Sequence, residues 1–172
     1  MFSSSIYVRA HAYSAPMRAR AQEWYGAVME NTGVGVAAWA ALLRVHAALL
    51  PALDQELQAA HGLPITWYDV LLELNAAPER RLTMGELGAV AVVSRSRVSR
   101  VVDELVKAGL VAREANPDDR RSAFAAITPA GRRRLRSAAP TYLAGIQRLF
   151  ADRMTTKEGQ TVADALGKVL SG

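Results

Sequence analysis

The stretch VSRSRVSRVVDELVKAGLV, Val93 to Val111, constrains the fold of this 172-residue chain more than any other feature. At about 100° per residue, Val98, Val101, Val102 and Leu105 fall on one face, with the i, i+3, i+4, i+7 spacing of a helix that buries a stripe. Ser96 and Arg100 point the other way, Arg97 and Ser99 flank them, and Asp103 and Glu104 follow one turn later. Ser94 stands where an N-cap belongs and Gly109 where a left-handed stop belongs. The helix is therefore cationic in its first turns, acidic further on and apolar beneath. A fully buried helix has no use for such a start. One that docks by its leading end on a polyanion does, because its unpaired N–H groups and positive dipole end also favour phosphate. The opposing account is a solvated face, for which exposed arginines and a serine cap are ordinary.

The distribution of charge bears on that choice. The chain carries a net charge of +5 with a pI near 10, which permits a nucleic-acid partner without requiring one. Residues 79 to 136 hold 13 Arg and Lys against 7 Asp and Glu, whereas the rest of the chain holds 8 against 9. The whole excess thus lies in one segment, around the arginine-rich helix. At 51% hydrophobic and 22% charged the composition is that of a globular chain, and abundant Ala, Leu, Val and Arg lean it towards helix. No cysteine occurs, which excludes disulfides and thiolate metal sites. The N-terminus has no apolar run of signal-peptide length, and the longest apolar stretch, VGVAAWAALL, ends at Arg44 and is too short to span a bilayer, so no membrane association and a cytoplasmic location are expected.

Periodicity and punctuation then order the elements. Residues 16 to 30 read as a short amphipathic helix, expected to start at Pro16 with Ala21, Trp24, Tyr25 and Val28 on one side. A second helix runs from Ala37 to about Ala60 and stops at Gly62, with Pro51 bending or splitting it. Thr66 with Asp69, Thr83 with Glu86 and Thr155 with Glu158 each have capping-box spacing and open three further helices. After Gly109 the period changes: LVAREA and SAFAAIT are strand-like, and NPDDRR between them signals a turn, so a β-hairpin follows the arginine-rich helix. Thr128 and Pro129 open another helix, bent near Pro140, and the last helix ends at Leu170. A short capped helix, a tight connection, a helix with a basic start and a basic-tipped hairpin, in that order, describe a winged helix-turn-helix. The expected fold class is mostly α with a small β-hairpin wing.

These residues resemble the MarR family of bacterial transcription regulators. The resemblance covers roughly Ala37 to Leu170 and is most specific in LTMGELGAVAVVSRSRVSRVVDELVKAGLVAREANPDDRRSAFAAITPAGRRRL. It implies an N-terminal extension (1–35), a dimerisation helix (36–62), a winged helix-turn-helix domain (63–128) and C-terminal dimerisation helices (129–172). It further implies a homodimer on double-stranded palindromic DNA, each subunit placing one helix in the major groove and one wing in the minor groove. Ser96, Arg97, Ser99 and Arg100 would then contact bases or groove, and Arg95 and Thr83 phosphate. Arg120 and Arg121 would belong to the wing, with Asp119 bracing Arg121. Val92 stands where such connections often carry Gly, and Arg97 replaces a small hydroxyl residue, which should alter base preference.

Family members often release DNA on binding a small aromatic or phenolic ligand, and Trp39, His46, Trp67 and Tyr68 would surround the implied crevice. Aromatic residues at helical spacing are more often core than ligand site. Trp24 and Asp69 are similar to features of a urate-responsive branch, but Val101 stands where that branch carries an arginine, and Asp69 completes the box begun by Thr66. His11, His46 and His61 are too scattered for a metal site, no cofactor is implied, and no nucleophile-base grouping or paired carboxylates support an enzyme. The expected function is a sequence-specific, ligand-released repressor. The alternative is a winged-helix protein-interaction or assembly module whose arginines bind an acidic protein surface.

Overall fold

The structure, a computed structural model, describes residues 33–91, 95–117, 119 and 122–171. The helix expected over 16–30, Trp24, Val92, the cap at Ser94 and the wing residues Arg120 and Arg121 lie outside the described residues, as do the side chains of Arg95 and Ser96. The chain divides into two compact units, Met1–Ala52 and Leu53–Gly172.

The described part of the first unit belongs to helix α1, Val34–His61, whose 28 residues run uninterrupted through Pro51. Its first half exposes Val34, Val36, Trp39 and Leu43. By length and composition alone α1 is long and apolar enough to cross a membrane, with a hydropathy of 1.7 over its most apolar window. The apolar stretch expected to end at Arg44 continues past it within α1, so it is not too short to span a bilayer.

The second unit contains α2 (Ile65–Ala76), β1 (Arg81–Thr83), α3 (Met84–Val90), α4 (Arg95–Lys107), β2 (Val111–Ala115), β3 (Ala123–Ile127), α5 (Pro129–Leu149) and α6 (Thr156–Ser171). The expected hairpin forms, with Val111 opposite Ile127 and Ala115 opposite Ala123. It gains a third strand the sequence reading missed: β1 pairs antiparallel with β3, Arg81 opposite Ala126 and Thr83 opposite Phe124, giving the order β1-β3-β2. The turn into β1 holds two non-glycine residues in the left-handed region, Glu79 at φ 54° and Arg80 at φ 59°, and the Arg81 guanidinium pairs with the Glu79 carboxylate.

Apolar stripes from these elements meet in one core. Leu57 from α1, Leu63, Val70, Leu71 and Leu74 from α2 and its entry, Leu87 from α3, and Val98, Val102 and Leu105 from α4 are almost fully buried. Burial of this kind contributes about 1.5–3 kcal/mol per large aliphatic side chain.

Two of the three capping boxes form. Thr83 Oγ1 accepts from Glu86 N–H at 3.2 Å while the Glu86 carboxylate accepts from Thr83 N–H at 2.8 Å, and Thr155 and Glu158 repeat the arrangement. The box expected at Thr66 does not: α2 starts at Ile65 behind Pro64 with no side-chain cap from its own sequence, and Ile65 N–H donates instead to Asp54 Oδ1 of α1 at 2.8 Å. A carboxylate brought in by the fold thus does the work that Thr66 and Asp69 were expected to do.

Helix α5 likewise runs through Pro140, which is exposed. It begins in close contact with the sheet. Thr128 Oγ1 accepts from Gly131 N–H at 3.0 Å and donates to the Gly109 carbonyl at 2.8 Å, while Thr128 N–H donates to the Leu110 carbonyl at 3.0 Å. Gly131 is buried, and a Cβ there would collide with the Leu110 carbonyl oxygen and come within 2.8 Å of Ile127 Cγ1.

Candidate nucleic-acid interface

Helix α4 has the two faces its sequence demands. Val98, Val101, Val102 and Leu105 retain 1%, 3%, 0% and 0% of their exposure, and Arg97, Ser99 and Arg100 are exposed. Its last turn ends in a left-handed glycine motif: Gly109 has φ 70°, Leu110 N–H donates to the Leu105 carbonyl at 2.9 Å and Gly109 N–H to the Val106 carbonyl at 2.9 Å. The helix is therefore fixed at its trailing end and along its underside, and presents its leading turns.

The electrostatics of the outer face follow from who pairs with whom. Among the described residues Arg97 and Arg100 have neither an ion pair nor a side-chain hydrogen bond. The acidic residues one turn beyond are engaged elsewhere. Asp103 Oδ1 accepts from Arg113 Nη2 of β2 at 2.8 Å, and Glu104 Oε2 accepts from the Trp67 indole N–H of α2 at 3.0 Å. Neither contact was read from the sequence, since no local spacing joins Arg113 to Asp103 or Trp67 to Glu104.

The wing is braced along its strands and between the two ends of its turn. Arg81 Nη1 reaches Glu114 Oε2 at 3.3 Å, and its guanidinium lies 4.6 Å over the Phe124 ring. Near the turn, Asn116 Nδ2 donates to Ser122 Oγ at 2.7 Å, and Ser122 N–H donates to the Asp119 carbonyl at 3.0 Å. Asp119 itself is exposed. The Thr83 hydroxyl donates its hydrogen to Glu86 at 2.7 Å, so its side chain is committed to the cap of α3. That contact holds the Glu86 carboxyl below its ordinary range, with the backbone N–H of Thr83 adding to it.

The aromatic residues belong to different units of the chain. In the first unit, Trp39 is 59% exposed and His46 is exposed. In the second, Tyr68 is only 4% exposed and its ring lies 4.5 Å from that of Tyr142, while Asp69 is half-buried. Burial makes both tyrosine hydroxyls weaker acids, pushing their ionisation to higher pH, helped at Tyr142 by the negative charge of Asp69. Trp67 is half-buried and forms one wall of a surface cavity of about 530 Å³ together with Gly62, Leu63, Arg133, Arg134 and Ser137.

Comparison with known proteins agrees with this architecture. A family profile described as MarR family matches residues 61–122. The chain is 33% identical to Sco3205, a MarR family transcriptional regulator from Streptomyces coelicolor solved in complex with DNA, with a TM-score of 0.71 over 82% of this chain and 89% of that one. It is 30% identical to AbsC, a MarR family transcriptional regulator from the same organism, with a TM-score of 0.70 over 81% and 94% of the two chains. Transcriptional repressor MprA of Escherichia coli is 28% identical over 101 residues, a match that takes in 59% of this chain and only 57% of that repressor. On these grounds the chain belongs to the MarR family of winged-helix transcriptional regulators.

Proposed function

We propose that the protein is a homodimeric, sequence-specific repressor that binds palindromic double-stranded DNA through α4 and the wing and is released by a small aromatic or phenolic ligand. One observation carries the DNA-binding part: Arg97 and Arg100 stand exposed and unpaired on a helix whose opposite face is buried to within a few per cent. Arg pairs with guanine through two parallel hydrogen bonds, and Ser99 beside it is short enough to let the backbone approach the groove. The wing residues Arg120 and Arg121, with Asp119, complete the reading, together with Arg95 and Ser96 at the start of α4. The DNA complex of Sco3205 supports it by similarity.

The dimer is supported by apolar surface that a soluble protomer would not leave uncovered. On the first unit this is Trp39, Leu42 and Leu43; on the second it is Leu143 of α5 and Leu166, Val169 and Leu170 of α6. Pairing of these surfaces, rather than a bilayer, accounts for the apolar character of α1 and fits a cytoplasmic protein. For release, Trp39 and His46 offer an exposed aromatic surface, and the cavity beside Trp67, rimmed by Arg133 and Arg134, has the volume of a small-molecule site. Such a ligand acts only through a difference in affinity between DNA-bound and free conformations.

Selection of bound duplexes from a random pool, followed by titration of the winner at two salt concentrations, tests the reading. The expected result is an enriched palindrome whose affinity falls with salt, with a log-log slope of about −0.9 for each phosphate neutralised. Aromatic acids then release it. No enrichment and no salt-dependent binding would favour an interaction module whose arginines meet an acidic protein surface.

A further inference from the structure

Arg100 has an acidic residue at both helical neighbour positions on its C-terminal side, Asp103 at i+3 and Glu104 at i+4. In an isolated helix both are within reach, and such pairs form readily. In the folded chain neither does: Asp103 is held by Arg113 from β2 at 2.8 Å and Glu104 by the Trp67 indole from α2 at 3.0 Å. Asp103 and Glu104 are both exposed, the Arg113 and Asp103 side chains being 39% and 56% exposed, so burial does not hold the carboxylates in place and these contacts do. Two elements from outside the helix thus divert the two charges that would neutralise its outward arginine.

We infer that Arg113 and Trp67 are positioning residues for DNA recognition: by occupying Asp103 and Glu104 they keep the Arg100 guanidinium unpaired and available to a base or phosphate. The inference rests on the DNA-binding reading for its purpose, but not for its chemistry, which concerns Arg100 in the free protein. Losing Arg113 gives Arg100 a competing intramolecular partner that DNA must displace. A surface pair of this kind is worth up to about 1 kcal/mol, so the competition weakens binding roughly two- to fivefold. Loss of the Trp67 N–H acts in the same way through Glu104.

A double-substitution cycle tests this in the full-length protein. Arg113→Gln is expected to weaken binding to the selected duplex roughly two- to fivefold and to leave the thermal midpoint within a few degrees of the parent. Adding Asp103→Asn removes the competing carboxylate and is expected to restore binding. Trp67→Phe, which keeps the ring and removes the donor, should likewise be rescued by Glu104→Gln. If Arg113→Gln has no effect, or Asp103→Asn fails to rescue it, the inference is overturned; failure of rescue would assign Arg113 a direct phosphate contact. The Arg100 Nε–Hε resonance in the DNA-free protein supplies an independent readout. It should shift in Arg113→Gln and return in the double variant, and an unmoved resonance overturns the inference even if the protein proves not to bind DNA at all.

Discussion

Individual residues in this protein are constrained either by space or by charge, and the two kinds give different experiments. Gly131 is the clearest case of space, because its Cα hydrogen faces the Leu110 carbonyl and the Ile127 side chain where no methyl fits. Gly131→Ala must move backbone rather than a flexible side-chain end, and should cost about 1–3 kcal/mol or more in urea unfolding, against the slight gain that Ala usually brings to a helix. An unchanged unfolding midpoint would mean the start of α5 can lift off the sheet freely. Arg100 is a case of charge. Arg100→Ala should lose about 1–3 kcal/mol on the selected duplex and relax discrimination at one base pair, whereas Arg120→Ala should weaken all sequences alike. Equal losses for Arg100→Ala on cognate and scrambled duplexes would count against base contact. The exposure of Arg100 was legible in the sequence from the Val98, Val101, Val102, Leu105 stripe. Its freedom from Asp103 and Glu104 was not, because the groups that hold those carboxylates come from α2 and β2.

At the scale of elements, what the sequence disclosed depended on how local each cap or pairing was. The boxes of α3 and α6 and the glycine stop of α4 use partners within five residues, and all were readable. The start of α2 uses Asp54, eleven residues upstream, and β1 is a three-residue strand whose partner, β3, lies some forty residues on, so neither leaves a signal in its own stretch. The two boxes also set an acid limb on stability. Side-chain and backbone hydrogen bonds from Thr83 depress the Glu86 carboxyl, and the backbone and then the hydroxyl of Thr155 depress that of Glu158, both from an ordinary 4.5. A carboxyl depressed on folding stabilises above its unfolded value and loses that contribution as pH falls through its folded value. Glu73 opposes them, its carboxyl raised by burial and then by Asp69, so that protonation favours the fold there. The thermal midpoint of Glu86→Gln should therefore fall less steeply than that of the parent as pH drops below 4.5, with their difference largest at neutral pH. Parallel curves for the two proteins would remove the box from the acid response.

For the whole molecule the open question is what covers the apolar surfaces of the two units. If the proposed dimer covers them, Val169→Glu with Leu170→Glu should yield a folded monomer in sedimentation and a large loss of affinity for the palindrome, since two half-sites then bind independently. These side chains are 77% and 88% exposed, so the protomer itself should keep its unfolding midpoint. A dimer that survives both substitutions would place its interface elsewhere. The Thr128 hydroxyl, finally, links the first turn of α5 to the Gly109 carbonyl, in the glycine turn just past the end of α4, through a single side chain. Across the 13 residues of α4, about 20 Å, a tilt of roughly 10° at that pinned end swings the leading arginines by about 3.4 Å. That displacement is about the spacing of successive bases along a strand, so a modest pivot here can shift the whole reading frame of the helix by one letter.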